Sequence, residues 1–188
     1  DGFRKLMISF SDIPLLGVIA GTVFTAIIQS SSASVGILQA FCKTGVLKFS
    51  SAMPIIMGQN IGTCVTAMLS SIGAKKNAKR AAVVHLCFNI IGTILFMVVF
   101  YTINAISPFK FMDGKATEAG IATIHTTFNI SVTLVLVWFS KWLEKLACFI
   151  VRDNENDVEA DNANEALEVL DNRFLGNPAL AMEHAMDI

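Results

Sequence analysis

"TAIIQSSSASVG", Thr25 to Gly36, places four serines, a glutamine and a threonine inside a run with no charge between Asp12 and Lys43. A serine-rich loop of a soluble domain normally has charged neighbours. The stretch is therefore either a polar helix junction within a membrane or a serine-rich turn in a soluble core. Composition decides between them. Hydrophobic residues make up 54% of the 188 and charged residues 15%, where ordinary soluble domains carry roughly 25% charged residues. Mean hydropathy is +0.61, and the balance points to a membrane protein.

The charges are segregated. From Asp12 to Lys141 there are nine Lys/Arg and three Asp/Glu, whereas from Trp142 to Ile188 there are three and eleven. A weakly basic membrane part thus precedes an acidic tail, and no dense basic face exists to bind nucleic acid. The chain opens at Asp1 without Met or a signal-peptide pattern, so it reads as a piece of a longer protein. Cys42, Cys64, Cys87 and Cys148 show no CxxC pairing, which predicts neither a disulfide framework nor a cysteine metal site.

Two segments are long enough to span. Ala81 to Tyr101 and Ala119 to Phe139 each run 21 residues without a charge, and a helix needs roughly 20 to cross the hydrocarbon. Lys75, Lys76, Lys79 and Arg80 precede the first, which by the positive-inside tendency makes loop 75–80 cytoplasmic. The first span then runs outward and the second returns, leaving the acidic tail inside. Trp138 and Trp142 sit at the inner end of the second, where aromatic belts anchor helices. Pro14 and Pro54 read as first-turn residues.

The region before Lys75 differs. Ile13 to Phe41 is interrupted by Gln29-Ser30-Ser31-Ser32-Ala33-Ser34, and Met53 to Ile72 by Gly58-Gln59-Asn60-Ile61-Gly62-Thr63. Both read as re-entrant or discontinuous helices, the pattern that marks substrate sites in secondary transporters. No Asp or Glu occurs from Ile13 through Met112. A cation held there has only neutral oxygens, from Gln29, Ser30, Ser31, Ser32, Asn60, Thr63 and freed carbonyls. That suits Na⁺ and disfavours Ca²⁺ or transition metals. An anion is equally welcome where a helix resumes, because its first N–H groups are unpaired. Ser, Thr and Gly also occur at plain helix-packing interfaces. Two such clusters in uncharged segments favour function, since buried polar groups at membrane depth are costly.

"TAIIQSSSASVGILQA" followed by "MPIIMGQNIGTCVTAMLSSIGAKKNAKRAAVVHLCFNIIGTILF" resembles the sodium-dependent phosphate cotransporter family (type II, Na/Pi), over about Ser11 to Ser140. Members carry a QSSS motif and a downstream NIGT-type motif in each of two inverted repeats. This chain holds one of each and so resembles the second half of such a transporter. The resemblance implies that the first repeat, or a second copy, completes the site. It also implies that Gln29, Ser30, Ser31 and Ser32 bind phosphate and Na⁺, with Asn60 and Thr63 contributing. A Na⁺ would be held by Gln29, Ser31, Ser32, Asn60 and Thr63. The closing "LDNRFLGNPALAMEHA" resembles the lead into the PhoU-like helical domain of bacterial members.

His85-Leu-Cys-Phe-Asn89 and His125-Thr-Thr-Phe-Asn129 repeat at a 40-residue offset, each placing His and Asn on one helix face. They read first as interhelical hydrogen-bond glue, with a polar lining or pH-sensitive gate as the functional alternative. An intramembrane serine hydrolase is disfavoured, because GxSxG is absent and no acid lies near to orient a histidine. The expected fold is an all-α membrane protein of transmembrane plus discontinuous helices, one half of an inverted-repeat transporter. Its parts are an N-terminal flank 1–10, a membrane repeat 11–145, an acidic linker 146–166 and the start of a PhoU-like domain 167–188. The expected function is sodium-coupled phosphate symport in the plasma (inner) membrane, not an enzyme, with no cofactor beyond the coupling ion. The alternative is a membrane-embedded phosphate-status sensor acting through the tail.

Overall fold

A computed structural model describes residues 9, 10 and 12–152; the expected tail helix at 167–188 and most of the linker lie outside them. Among the described residues from Pro14 onward, six α-helices follow in order: α1 (Pro14–Ile28), α2 (Ser31–Cys42), α3 (Phe49–Ser70), α4 (Lys76–Ile106), α5 (Glu118–Leu136) and α6 (Ser140–Ile150). Short 3₁₀ turns at Lys110–Asp113 and Val137–Phe139 precede α5 and α6. Among the described residues no strand forms beyond a single antiparallel bridge, Lys48 with Lys115, which ties the α2–α3 and α4–α5 connections together. Phe49 N–H donates to the Gly114 carbonyl there (3.1 Å), and Ala116 N–H to that of Leu47 (2.8 Å).

The QSSS stretch breaks the chain as expected. Pro14 lies in the first turn of α1, where its missing N–H is harmless. Gln29 ends that helix at φ 56°, ψ 23°, the left-handed region that short polar side chains and glycine tolerate best. Ser30 then turns extended, and its hydroxyl accepts from Ala33 N–H (3.3 Å) as the N-cap of α2. The segment is two short helices joined by a two-residue joint.

The second segment does not break. Gly58 to Thr63 lies within α3, which is helical over all 22 of its residues. Pro54 also lies inside this helix rather than at its start. Here the glycines make room for another helix. A Cβ on Gly58 would overlap the Val18 carbonyl of α1, and one on Gly21 would overlap the Ile55 carbonyl of α3. Gly17 lies against the Pro54 ring and Gly62 against Thr22 and Thr25, both somewhat less tightly. Glycines four apart on both helices let the backbones touch, as small residues do where lipid supplies no hydrophobic drive. The Thr22 hydroxyl crosses this seam, 3.1 Å from the Gly58 carbonyl.

This contact predicts opposite outcomes for two glycines. Gly58→Ala is expected to lose about 1–3 kcal/mol to overpacking. At Gly36, exposed on α2 with open space around its missing Cβ, Ala is expected to gain about 0.5–1 kcal/mol from helix propensity. Thermal unfolding of the detergent-solubilised protein checks both; equal midpoints would refute the close packing of α1 on α3.

Among the described residues, three helical segments are long and apolar enough to cross a membrane: Phe49–Ser70, Lys76–Ile106 and Glu118–Ile150. The first is largely enclosed by its neighbours and the other two are largely exposed. Ile94, Val98 and Leu134 point outward, each about 60% exposed, an arrangement suited to acyl chains. Phe128 and Val132 of α5 turn inward, and Gly92 of α4 admits Val132 at close range. Phe96, Phe100, Phe109, Phe111 and Phe49 form an aromatic cluster near the α4–α5 connection, with neighbouring rings 5.1–6.5 Å apart. After the expected boundary at residue 145, α6 continues to Ile150 and buries Leu143 and Ala147.

Candidate functional site

The start of α2 and the unbroken α3 both line a cavity of about 260 Å³. Its walls are Ser31 from the first residue of α2, Asn60 and Thr63 from α3, His85, Phe88 and Asn89 from α4, and His125 and Asn129 from α5. Asn60 and Thr63 reach it together because residues three apart share a helix face. Each HxxFN copy delivers its histidine and asparagine for the same reason. No charged side chain lines the cavity apart from whatever charge the two histidines carry.

The expected site residues divide. Ser31, Asn60 and Thr63 line the cavity, and so do all four members of the expected polar lining: His85, Asn89, His125 and Asn129. Gln29, Ser30 and Ser32 do not. Gln29 and Ser32 are exposed, and the Ser30 hydroxyl is engaged as the cap. The asparagines of the repeated motif were expected first as glue between helices; Asn89 does pair with Cys64 of α3 across the helix boundary, and both amides also bond within their own helices. Asn89 Nδ2 donates to the His85 carbonyl (3.0 Å) and Asn129 Nδ2 to the His125 carbonyl (2.8 Å), each within its own helix.

Beside the cavity the joint is held by a buried polar cluster that sequence reasoning missed. The Thr25 and Ser34 hydroxyls lie 2.7 Å apart. Gln59 Nε2 donates to the Ser34 carbonyl (3.0 Å) and hydroxyl (3.1 Å). All three residues are at most 1% exposed. Gln59 Oε1 is buried without a hydrogen-bond partner. Ser34 and Gln59 both stand inside the two motifs, so the signal was present. Their meeting depends on α2 folding back along α3.

The cavity's chemistry has two sides. Ser31 sits at the start of α2, where unpaired N–H groups carry partial positive charge and attract anions. Asn60 and Thr63 turn donors back onto their own helix, to Ile56 O (2.9 Å) and Gln59 O (3.0 Å). Their oxygens remain as acceptors.

An all-helical chain with three membrane-length helices, a serine-capped joint and an uncharged polar cavity has the make-up of a solute-transporting membrane protein. The sequence model of the Na⁺/Pi-cotransporter family matches residues 1–124, and the chain belongs to that family. It is 40% identical over 120 residues to the uncharacterized protein YqeW of Bacillus subtilis, covering 64% of this chain and 38% of that one. It is 40% identical over 90 residues to the sodium-dependent phosphate transport protein 2A of Rattus norvegicus, covering 45% and 14%. Over 185 residues it is 26% identical to YjbB of Escherichia coli, whose name assigns it provisionally to inorganic phosphate export, covering 98% and 33%. The chain thus spans well under half the length of these relatives. No solved structure matches it.

Proposed function

We propose that this chain forms part of a sodium-coupled phosphate symporter in the plasma (inner) membrane, and that the cavity is its share of the substrate site. One observation carries the reading: the start of α2 brings Ser31 against Asn60 and Thr63 in a cavity lined without a carboxylate, lysine or arginine. In this reading the Ser31 hydroxyl and the first N–H groups of α2 meet a phosphate oxygen, while Asn60 and Thr63 offer neutral oxygens to Na⁺. Gln29, Ser30 and Ser32 stand at the joint itself, outside the cavity lining. Their place suits contact with solute as it crosses toward a complementary half, either a preceding repeat or a second copy. Residues 75–80, which form the N-cap and first turn of α4 rather than a loop, and the tail lie on the cytoplasmic side in this reading, by the charge of Lys75, Lys76, Lys79 and Arg80.

The test is radiolabelled phosphate flux in proteoliposomes containing the complete protein, with the Na⁺ gradient imposed in each direction. Phosphate is expected to follow the Na⁺ gradient both ways, so one system serves uptake and export. Flux indifferent to Na⁺ would refute the coupling, and no flux at all would refute transport. Deletion of residues beyond Arg152 is expected to leave flux in place. Its loss in a folded protein would make the tail part of the transport machinery, whereas absence of flux in the complete protein would favour the sensor reading.

A further inference from the structure

Four side chains on three helices treat the cavity alike. Asn60, Thr63, Asn89 and Asn129 each donate to the backbone carbonyl four residues earlier, at 2.8–3.0 Å. A primary amide is planar, with nitrogen and oxygen diverging from one carbon. An amide whose nitrogen is turned back onto its own helix therefore directs its oxygen away from that carbonyl. A threonine whose single hydroxyl proton is already donated has only lone pairs left to offer. All four line the one cavity. The lining contributed by α3, α4 and α5 is consequently rich in neutral acceptors, and Ser31 at the start of α2 joins it.

We infer that Asn89 and Asn129, the asparagines of the duplicated HxxFN motif, join Asn60 and Thr63 as oxygen ligands of a monovalent cation. The inference rests on the proposed transport reading and adds to it a cation-binding wall drawn from α4 and α5. Neutral oxygens suit a singly charged hard cation, since divalent ions recruit carboxylates, and none lines this cavity. The motif's repetition then has a physical purpose: two helices present the same histidine-anchored asparagine to one ion. The histidine contribution here is its backbone carbonyl, which orients the amide. Cys64 Sγ, 3.5 Å from the His85 carbonyl, braces the α4 copy from α3.

The test uses the complete protein, purified in detergent and in proteoliposomes, with NaCl as probe and choline chloride as the ionic-strength control. Asn129→Leu is expected to raise the Na⁺ concentration for half-maximal thermal stabilisation at least tenfold. Asn129→Asp is nearly isosteric and adds a negative oxygen, so it is expected to lower that concentration. Thr123→Ala, on an exposed face of α5, is expected to leave it unchanged. Asn129 also keeps a second N–H that could instead meet phosphate. In that case Asn129→Asp would raise the phosphate concentration for half-maximal flux and leave the Na⁺ response alone, which would overturn the inference. Parent protein stabilised by phosphate but indifferent to Na⁺ would also overturn it, with the phosphate site left standing. Should Asn129→Leu fail to fold, the direction of the Asn129→Asp shift decides.

Discussion

Replacing Ser31 with Ala in the complete protein is expected to reduce Na⁺-dependent phosphate uptake roughly 10- to 150-fold, with little change in stability. A hydrogen bond to a charged group contributes about 1.5–3 kcal/mol, and that range converts to this loss of affinity. Ser31 is half-buried at the first position of α2 and lines the cavity. The capping bond of the helix belongs to Ser30, so Ala at position 31 leaves the helix start intact. Unfolding should therefore shift by less than about 0.5 kcal/mol, as for substitutions away from structural features. Uptake at the parent level in Ser31→Ala would remove the anion side of the site.

Gln29 separates backbone from side chain in the same assay. Its left-handed φ of 56° is a conformation glycine adopts without steric penalty. Gln29→Gly should keep the joint and fold at least as well as the parent. A fall in uptake in that variant would then report the amide itself, although Gln29 lies outside the cavity lining. Unchanged uptake would assign Gln29 to the joint alone. Gln29→Val tests the complement: a β-branched residue resists this φ, so both folding and uptake should suffer.

How far these features were legible in the sequence follows from what each residue is used for. The joint at Gln29–Ser30 was readable because its signal is local: a serine cap followed by a resumed apolar run. The supposed break at Gly58–Thr63 was a misreading with an identifiable source. Glycines that interrupt a helix and glycines that admit a neighbour have the same composition. What separates the cases is the partner, and Gly17 and Gly21, four apart on α1, were the available clue to Gly58 and Gly62, four apart on α3. Pro54 was misplaced for a related reason, since tertiary packing sustains a helix through a residue that local propensity would put at its end. Asn60 with Thr63, and each His with its Asn, were visible as helix faces from spacing alone. That all three faces turn to one cavity was not visible, because it depends on how α3, α4 and α5 are rotated against each other. Lys43 and Glu118, paired at 3.2 Å across the α2 and α5 ends, lie 75 residues apart in a chain whose local pattern gives no hint of the contact. Both are well exposed, and such surface pairs contribute little.

The buried cluster behind the joint carries the second large effect. Ser34→Ala is expected to destabilise the protein by about 1–3 kcal/mol, the range for leaving buried polar groups without partners. For a chain of this size that is a fall in midpoint of about 2–4 °C per kcal/mol. The hydroxyl meets Thr25 at 2.7 Å and Gln59 Nε2 at 3.1 Å, and all three residues are buried. Thr25 lies in the last turn of α1 and Ser34 in the first turn of α2, so this one contact clamps the two sides of the joint, and Gln59 ties both to α3. Thr25→Ala should cost a similar amount, and the double variant little more than either alone. The resulting coupling of about 0.5–3 kcal/mol is the signature of groups in direct contact. Additive losses would show that the hydroxyls act separately. The clamp also bears on the cavity, because Ser31 is one helical turn before Ser34 and its position depends on where α2 starts. Ser34→Ala should therefore weaken uptake along with stability, whereas Ser31→Ala weakens uptake alone.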